Sequence, residues 1–114
     1  MTINDVCNLI NAEIVYGEGE TVLNPPKGYA SDMMSDVLAF VSDHSLLLTG
    51  LVNEQVIRTA AMLEIKGVII VRGKTPTPGM LSLAEQNAIA VLRTEHSLFE
   101  SCGILYNNGV HGEV

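Results

Sequence analysis

Short apolar runs alternate along this chain with segments whose apolar residues recur every three or four positions. Leu46-Leu47-Leu48 and Val68-Ile69-Ile70-Val71 are continuously apolar, the pattern of parallel strands covered on both faces. Between them Asn53 can cap a helix whose apolar positions Val56, Ile57, Ala60, Ala61 and Leu63 keep helical spacing. Residues 46–78 therefore read as strand, tight turn, helix, strand and a second polar turn, which is one βαβ unit. The pattern then repeats. A helix is predicted from Thr77 to Gln86, with Met80, Leu81, Leu83 and Ala84 apolar, and Ala88–Leu92 forms the next strand. A last helix runs from Ser97 to Asn107 with Leu98, Phe99, Cys102, Leu105 and Tyr106. Strand starts near residues 46, 68 and 89 give a βα period rather than a solenoid.

Upstream of this unit, Thr2 and Asn4 can cap a helix that buries Ile3, Val6, Cys7, Leu9 and Ile10 and stops at Asn11. Ala12–Tyr16 reads as a short strand and Gly17–Glu20 as a turn. Thr21–Leu23 is expected to pair back as an antiparallel edge, because Pro25-Pro26 cannot continue a central strand. In GYASDMMSDVLAFV, Ser31 or Asp32 caps a helix with Met33, Met34, Val37, Leu38 and Val41 on one face. Asp32 and Asp36 then share its polar side. Acidic groups in a first turn are favoured by the helix dipole, so capping and solvation is their ordinary reading and a functional pair the other. Asn107-Asn108-Gly109 closes the last helix, and 110–114 is expected to be a loose tail. The whole predicts a single domain over 1–114, three-layer α/β/α, with a mainly parallel sheet of four to five strands.

Composition narrows the function classes. A chain of 114 residues is one domain that buries roughly two thirds of its unfolded surface. Hydrophobic residues are 47% and aromatics only 4%, without Trp, so the core must be aliphatic and Met-rich. Apolar runs fall far short of the ~20 residues of a membrane span. The start MTINDVCNL has no basic, long-apolar leader pattern, and a cytoplasmic location is expected. Cys7 and Cys102 lie far apart without a CxxC, and free, buried thiols are expected. A net charge of −7 with six Lys and Arg cannot supply the basic face that nucleic acid requires.

Candidate chemistry gathers at one place. Ligands of parallel α/β sheets sit outside the carboxyl ends of the strands. Here those ends read Thr49-Gly50-Leu51-Val52-Asn53, Arg72-Gly73-Lys74-Thr75 and Arg93-Thr94-Glu95-His96-Ser97. The turns lead into helix N-termini, whose free amides attract anions. Thr49, Gly50, Asn53, Arg72, Gly73, Lys74, Thr75 and Thr94 are therefore the candidate ligand-binding residues, for a small anion. The alternative is that backbone geometry alone demands Gly, Thr and Asn in such turns, with Arg72 and Lys74 paired to surface carboxylates such as Glu54. Gly73-Lys74-Thr75 is not a phosphate-cradling P-loop. The upstream Gly67 has the wrong spacing for GxxxxGK[ST], and Pro76 and Pro78 follow where a helix should continue. His44, His96 and His111 show no joint metal spacing. Ser97 and Ser101 flank no GxSxG elbow, and Cys102 and Met33-Met34 read as packing. No catalytic residue, metal or cofactor is predicted.

Four strings taken together, GYASDMMSDVLAFV, LLLTGLVNEQVIRTAAMLEIKGVIIVRGKTPTP, LRTEHSLFE and CGILY, resemble the stand-alone DRTGG-domain proteins. These are related in fold to the non-catalytic N-terminal domain of HPr kinase/phosphorylase. The resemblance extends from about Ile3 to Gly109. Where longer family members carry a GDR-type string, this chain reads Gly50-Leu51-Val52-Asn53-Glu54, and where they carry TGG it reads Arg72-Gly73-Lys74. Family members occur fused to CBS, phosphotransacetylase and cobyrinate-amidase-like domains, and small stand-alone copies accompany iron-only hydrogenase and electron-transfer proteins. The resemblance implies a non-enzymatic regulatory or accessory domain that senses or docks, with a protein partner in a redox or hydrogenase system. An aliphatic domain with apolar surface to spare is also expected to form a homodimer. The alternative is a receptor for a nucleotide or phosphorylated metabolite at the polar edge. A phosphotransfer enzyme is the third and weakest reading.

Overall fold

The computed structural model describes residues 1–42 and 44–112. In chain order the elements are α1 (Ile3–Ile10), β1 (Glu13–Tyr16), β2 (Gly28–Ala30), α2 (Met34–Phe40), β3 (Leu46–Thr49), α3 (Glu54–Met62), β4 (Gly67–Ile70), α4 (Pro78–Asn87), β5 (Ala90–Arg93) and α5 (Leu98–Asn107). The strands form one five-stranded sheet in the order β1-β5-β4-β3-β2. β2 through β5 are parallel, and β1 closes the far side antiparallel to β5. This is the predicted α/β class, with five strands.

Every residue of β3 and β4 is buried, because helices cover both faces. Side chains alternate across the sheet plane with a period of two. Leu47, Val68, Ile70 and Val91 face Val37, Ile57, Ala60, Met80 and Ala84 of α2, α3 and α4. Leu46, Leu48, Ile69 and Leu92 face Ile3, Val6, Ile10 and Leu105 of α1 and α5. Helix starts follow local chemistry. Thr2 and Asp5 form a reciprocal capping box; Asn53, Thr77 and Ser97 each accept a backbone N–H of the first turn. Pro78 takes the first position of α4, where its missing N–H costs nothing.

Four expectations need correction. Thr21–Leu23 does not join the sheet; Val22 makes only an isolated bridge to Thr2, while Leu23 is buried against the α1 side. The edge strand is instead Gly28–Ala30, parallel to β3. Neither Ser31 nor Asp32 caps α2 in the expected way. The helix begins at Met34, Met33 stands at its cap without a side-chain bond, and Ser31 Oγ accepts the Met33 N–H at 3.0 Å, ahead of the helix. Asp32 thus lies outside the helix and does not share a face with Asp36. The tail is not loose at 110–111, since Val110 is buried and the Gly28 N–H donates to the His111 carbonyl at 2.8 Å; 113–114 lie outside the described residues. Finally, Met33 and Leu38, read as part of one apolar face with Met34, Val37 and Val41, are exposed, as are Phe99 and Tyr106 of the last helix. Met34, Val37 and Val41 already fill the space beneath α2, so helical phase turns Leu38 and Phe40 outward, while Met33 precedes the helix.

Candidate ligand site at the carboxyl edge of the sheet

The βα turns after β3, β4 and β5 all leave the same end of the sheet, but they do different things. After β3, the buried Thr49 side chain donates to Asp32 Oδ1 at 2.9 Å, and the Gly50 N–H donates to the same oxygen at 2.7 Å. Thr49 Oγ1 in turn accepts the Leu51 N–H at 3.1 Å, which sets the turn. Lys74 Nζ crosses from the next turn to the Gly50 carbonyl at 2.6 Å. Both backbone polar groups of Gly50, in successive peptides, are therefore held, the N–H by a carboxylate and the C=O by an ammonium. The Asp32 carboxyl sits below its ordinary range, chiefly through the Gly50 N–H bond. The Thr49 hydroxyl and the nearby Lys74 and Arg72 charges add to that shift, while partial burial opposes it.

The turn after β4 is built on left-handed backbone. Arg72 has φ 59° and Gly73 φ 67°; the second costs little because glycine lacks a Cβ. Their N–H groups reach the neighbouring turn, Arg72 to the His96 carbonyl and Gly73 to the Thr94 carbonyl, both at 2.8 Å. The Arg93 guanidinium returns a bond to the Gly73 carbonyl at 2.6 Å and lies 3.3 Å from the Glu95 carboxylate and 3.4 Å from that of Glu13. This stitching has a topological consequence. α2, α3 and α4 share one face, whereas α5 crosses to the other, so the connections diverge between β4 and β5. That is where an open α/β sheet ordinarily offers a ligand crevice, and here hydrogen bonds close it.

The predicted residues consequently separate. Thr49, Gly50, Arg72 and Lys74 converge on one point, joined by Asp32. Asn53 Oδ1 accepts the Val56 N–H at 3.3 Å as the cap of α3. Thr75 is exposed beside them, and Gly73 faces Glu95. Thr94 is buried, and its hydroxyl donates to the Ile10 carbonyl at 2.7 Å, satisfying an orphan carbonyl at the end of α1. Glu54, the suggested partner of the cations, pairs instead with Arg58 one turn on, at 3.0 Å. Asp32, open in sequence between capping and function and not placed among the ligand-binding residues, is the residue that joins Thr49, Gly50, Arg72 and Lys74. Its one signal in sequence is a carboxylate placed just after an edge strand and ahead of the first helical turn.

The sequence matches the DRTGG domain over residues 5–107. The chain belongs to the DRTGG-domain family. No curated protein matches it. Among solved structures, this DRTGG domain resembles the CBS and DRTGG domains of the regulatory region of Clostridium perfringens pyrophosphatase, complexed with the activator diadenosine tetraphosphate. The TM-score is 0.79 at 22% identity, and the match covers 91% of this chain and 45% of that one. The DRTGG domain described here thus spans less than half of that regulatory region.

A second feature lies along the lateral edge of the sheet formed by β2. β2 is one of the two outer strands, and an open groove of about 770 Å³ runs beside it, lined by Ala30, Phe40, Leu48, Leu105, Tyr106 and Val110 among others. Phe40 and Tyr106 are 65% and 62% exposed. Along β2 the Ser31 N–H turns inward to the Leu48 carbonyl and the Gly28 N–H outward to His111. By alternation the Ala30 N–H also points outward. Among the described residues no three His, Cys, Asp or Glu side chains gather as metal ligands, and no helix is long and apolar enough to cross a membrane.

Proposed function

We propose that this chain is a non-catalytic regulatory domain that acts by docking, and that its first partner is a second copy of itself, joined along the β2 edge. The observation that carries this reading is the groove beside β2. In a protein with 13 acidic residues and a net charge of −7, none of the residues lining that groove is acidic. Two such faces can meet without like charges at the centre, burying Phe40 and Tyr106 as aromatic anchors of the kind that dominate interfaces. His111 already takes the Gly28 N–H, which leaves the outward Ala30 N–H as the point where this edge strand invites pairing. The polar edge supports the same choice, because its crevice is closed and its polar groups are largely committed to one another. A protein partner in a redox or hydrogenase system, implied by the family resemblance, would act on the assembled dimer.

One observation favours a second reading, a receptor for a nucleotide or phosphorylated metabolite. The Gly50 N–H and Thr49 hydroxyl already hold an oxyanion, that of Asp32, close to two cations. A regulatory region containing a similar domain was solved with diadenosine tetraphosphate, which makes nucleotides the ligand class to try first. The two readings are tested separately. Sedimentation of the wild type against Phe40→Glu/Tyr106→Glu asks for the dimer. A thermal-shift screen with nucleotides asks for the ligand, since occupancy at 100 times the dissociation constant adds about 2.7 kcal/mol.

A further inference from the structure

The Asp32 carboxylate rests on two converging donors, the Gly50 N–H and the Thr49 hydroxyl. A backbone amide and a hydroxyl aimed at one oxygen form an oxyanion site, whatever supplies the oxygen. Two cations stand over it. Lys74 is pinned by the Gly50 carbonyl at 2.6 Å. Arg72 carries its guanidinium to 3.4 Å from the position a Cβ on Gly50 would occupy, and makes no side-chain hydrogen bond or ion pair among the described residues. One carboxylate bonded to two donors leaves that exposed guanidinium to solvent. A phosphoryl group, with more charge and three acceptor oxygens, could bond both donors and the guanidinium together.

We propose that Asp32 is an internal stand-in occupying a phosphoryl-binding site, and that an external phosphoryl group displaces it and thereby releases the segment joining β2 to α2. This rests on the receptor reading above and adds to it a mechanism of signalling. Asp32 lies between Ala30 and Met34, so its bond to Gly50 ties the start of α2 to the end of β3. Ala30 at one end of that segment and Phe40 at the far end of α2 both line the groove beside β2. Loss of the tether therefore reaches the docking face through continuous backbone, without a separate relay.

The test is a titration with inorganic phosphate at constant ionic strength, followed by amide resonances in wild type, Asp32→Ser, Asp32→Asn and Arg72→Ala/Lys74→Ala. The expected result is a saturable shift of the Gly50 amide in wild type that is lost in the double variant. Ala30 and Phe40 move with it, and are already displaced in phosphate-free Asp32→Ser. If Asp32 occupies the site more than about nine-tenths of the time, its removal raises phosphate affinity at least ~10-fold. Asp32→Asn keeps the side-chain shape, so it shows the same direction of change even if Asp32→Ser is poorly folded. Equal affinity in wild type and both Asp32 variants overturns displacement while leaving the receptor reading in place. No Gly50 response in any of these proteins overturns both.

Discussion

Thr94→Val separates a structural role from a ligand-binding one at a position where sequence pointed to ligand. The Thr94 side chain is buried, donates to the Ile10 carbonyl at 2.7 Å and accepts the His96 N–H at 3.3 Å. Valine has nearly the same shape, so no cavity forms. The hydroxyl is lost, and the Ile10 carbonyl at the end of α1 is left without that donor. An unsatisfied buried acceptor costs about 1–3 kcal/mol. With an unfolding entropy of roughly 2.1 cal/mol/K per residue, a domain of this length shifts by about 4 °C per kcal/mol, which gives a loss of about 4–12 °C. Calorimetry measures the shift, and hydrogen exchange locates it, with faster exchange in the last turn of α1. Thr94→Ser keeps the hydroxyl and should recover most of the loss. A Thr94→Val protein that melts with the wild type and keeps α1 protected refutes the reasoning.

Other consequences follow from single contacts. The Ser101 hydroxyl is fully buried on α5 and has no partner among the described residues; Ser101→Ala should raise stability by about 1 kcal/mol in urea unfolding, since the desolvation cost of that group disappears. Asp32 titrates below the usual carboxylate range in the folded state, so its contribution is present above the unfolded value, near 3.9 for an ordinary Asp, and is lost as pH falls through the folded one. Asp32→Asn should therefore melt lower than wild type at neutral pH and converge with it in strong acid. Gly73→Ala places a side chain at φ 67° facing Glu95, at a cost of about 1–2 kcal/mol in thermal unfolding.

The central βαβ unit was legible because each of its signals agrees with the others. Continuous apolar runs mark strands buried on both faces, Asn53 caps a helix, and Pro78 opens one. Capping, turn composition and hydrophobic period all depend on residues close in sequence. What could not be read depends on distance. β2 holds only three residues, one of them Gly28, and becomes a strand because β3 offers it a partner. Asp32 looks like a cap because Asp usually is one; only the fold brings it 2.7 Å from the Gly50 amide. Thr94 stands at a strand end like Thr49, yet α1 lies against the first and Asp32 against the second. Phe99, Phe40 and Tyr106 carry the right residue type for a core at a helical phase that points away from it. Their exposure is a statement about what the monomer leaves uncovered.

The proposal that the β2 edge is a docking face is tested most directly by light scattering coupled to gel filtration over a range of protein concentrations. The proposal predicts a species of twice the 12.2 kDa chain mass for wild type at high concentration. Phe40→Glu/Tyr106→Glu should reduce it to a folded monomer, with circular dichroism unchanged. A wild-type chain that stays monomeric at every concentration, or a double variant that dimerises as well as wild type, would contradict it.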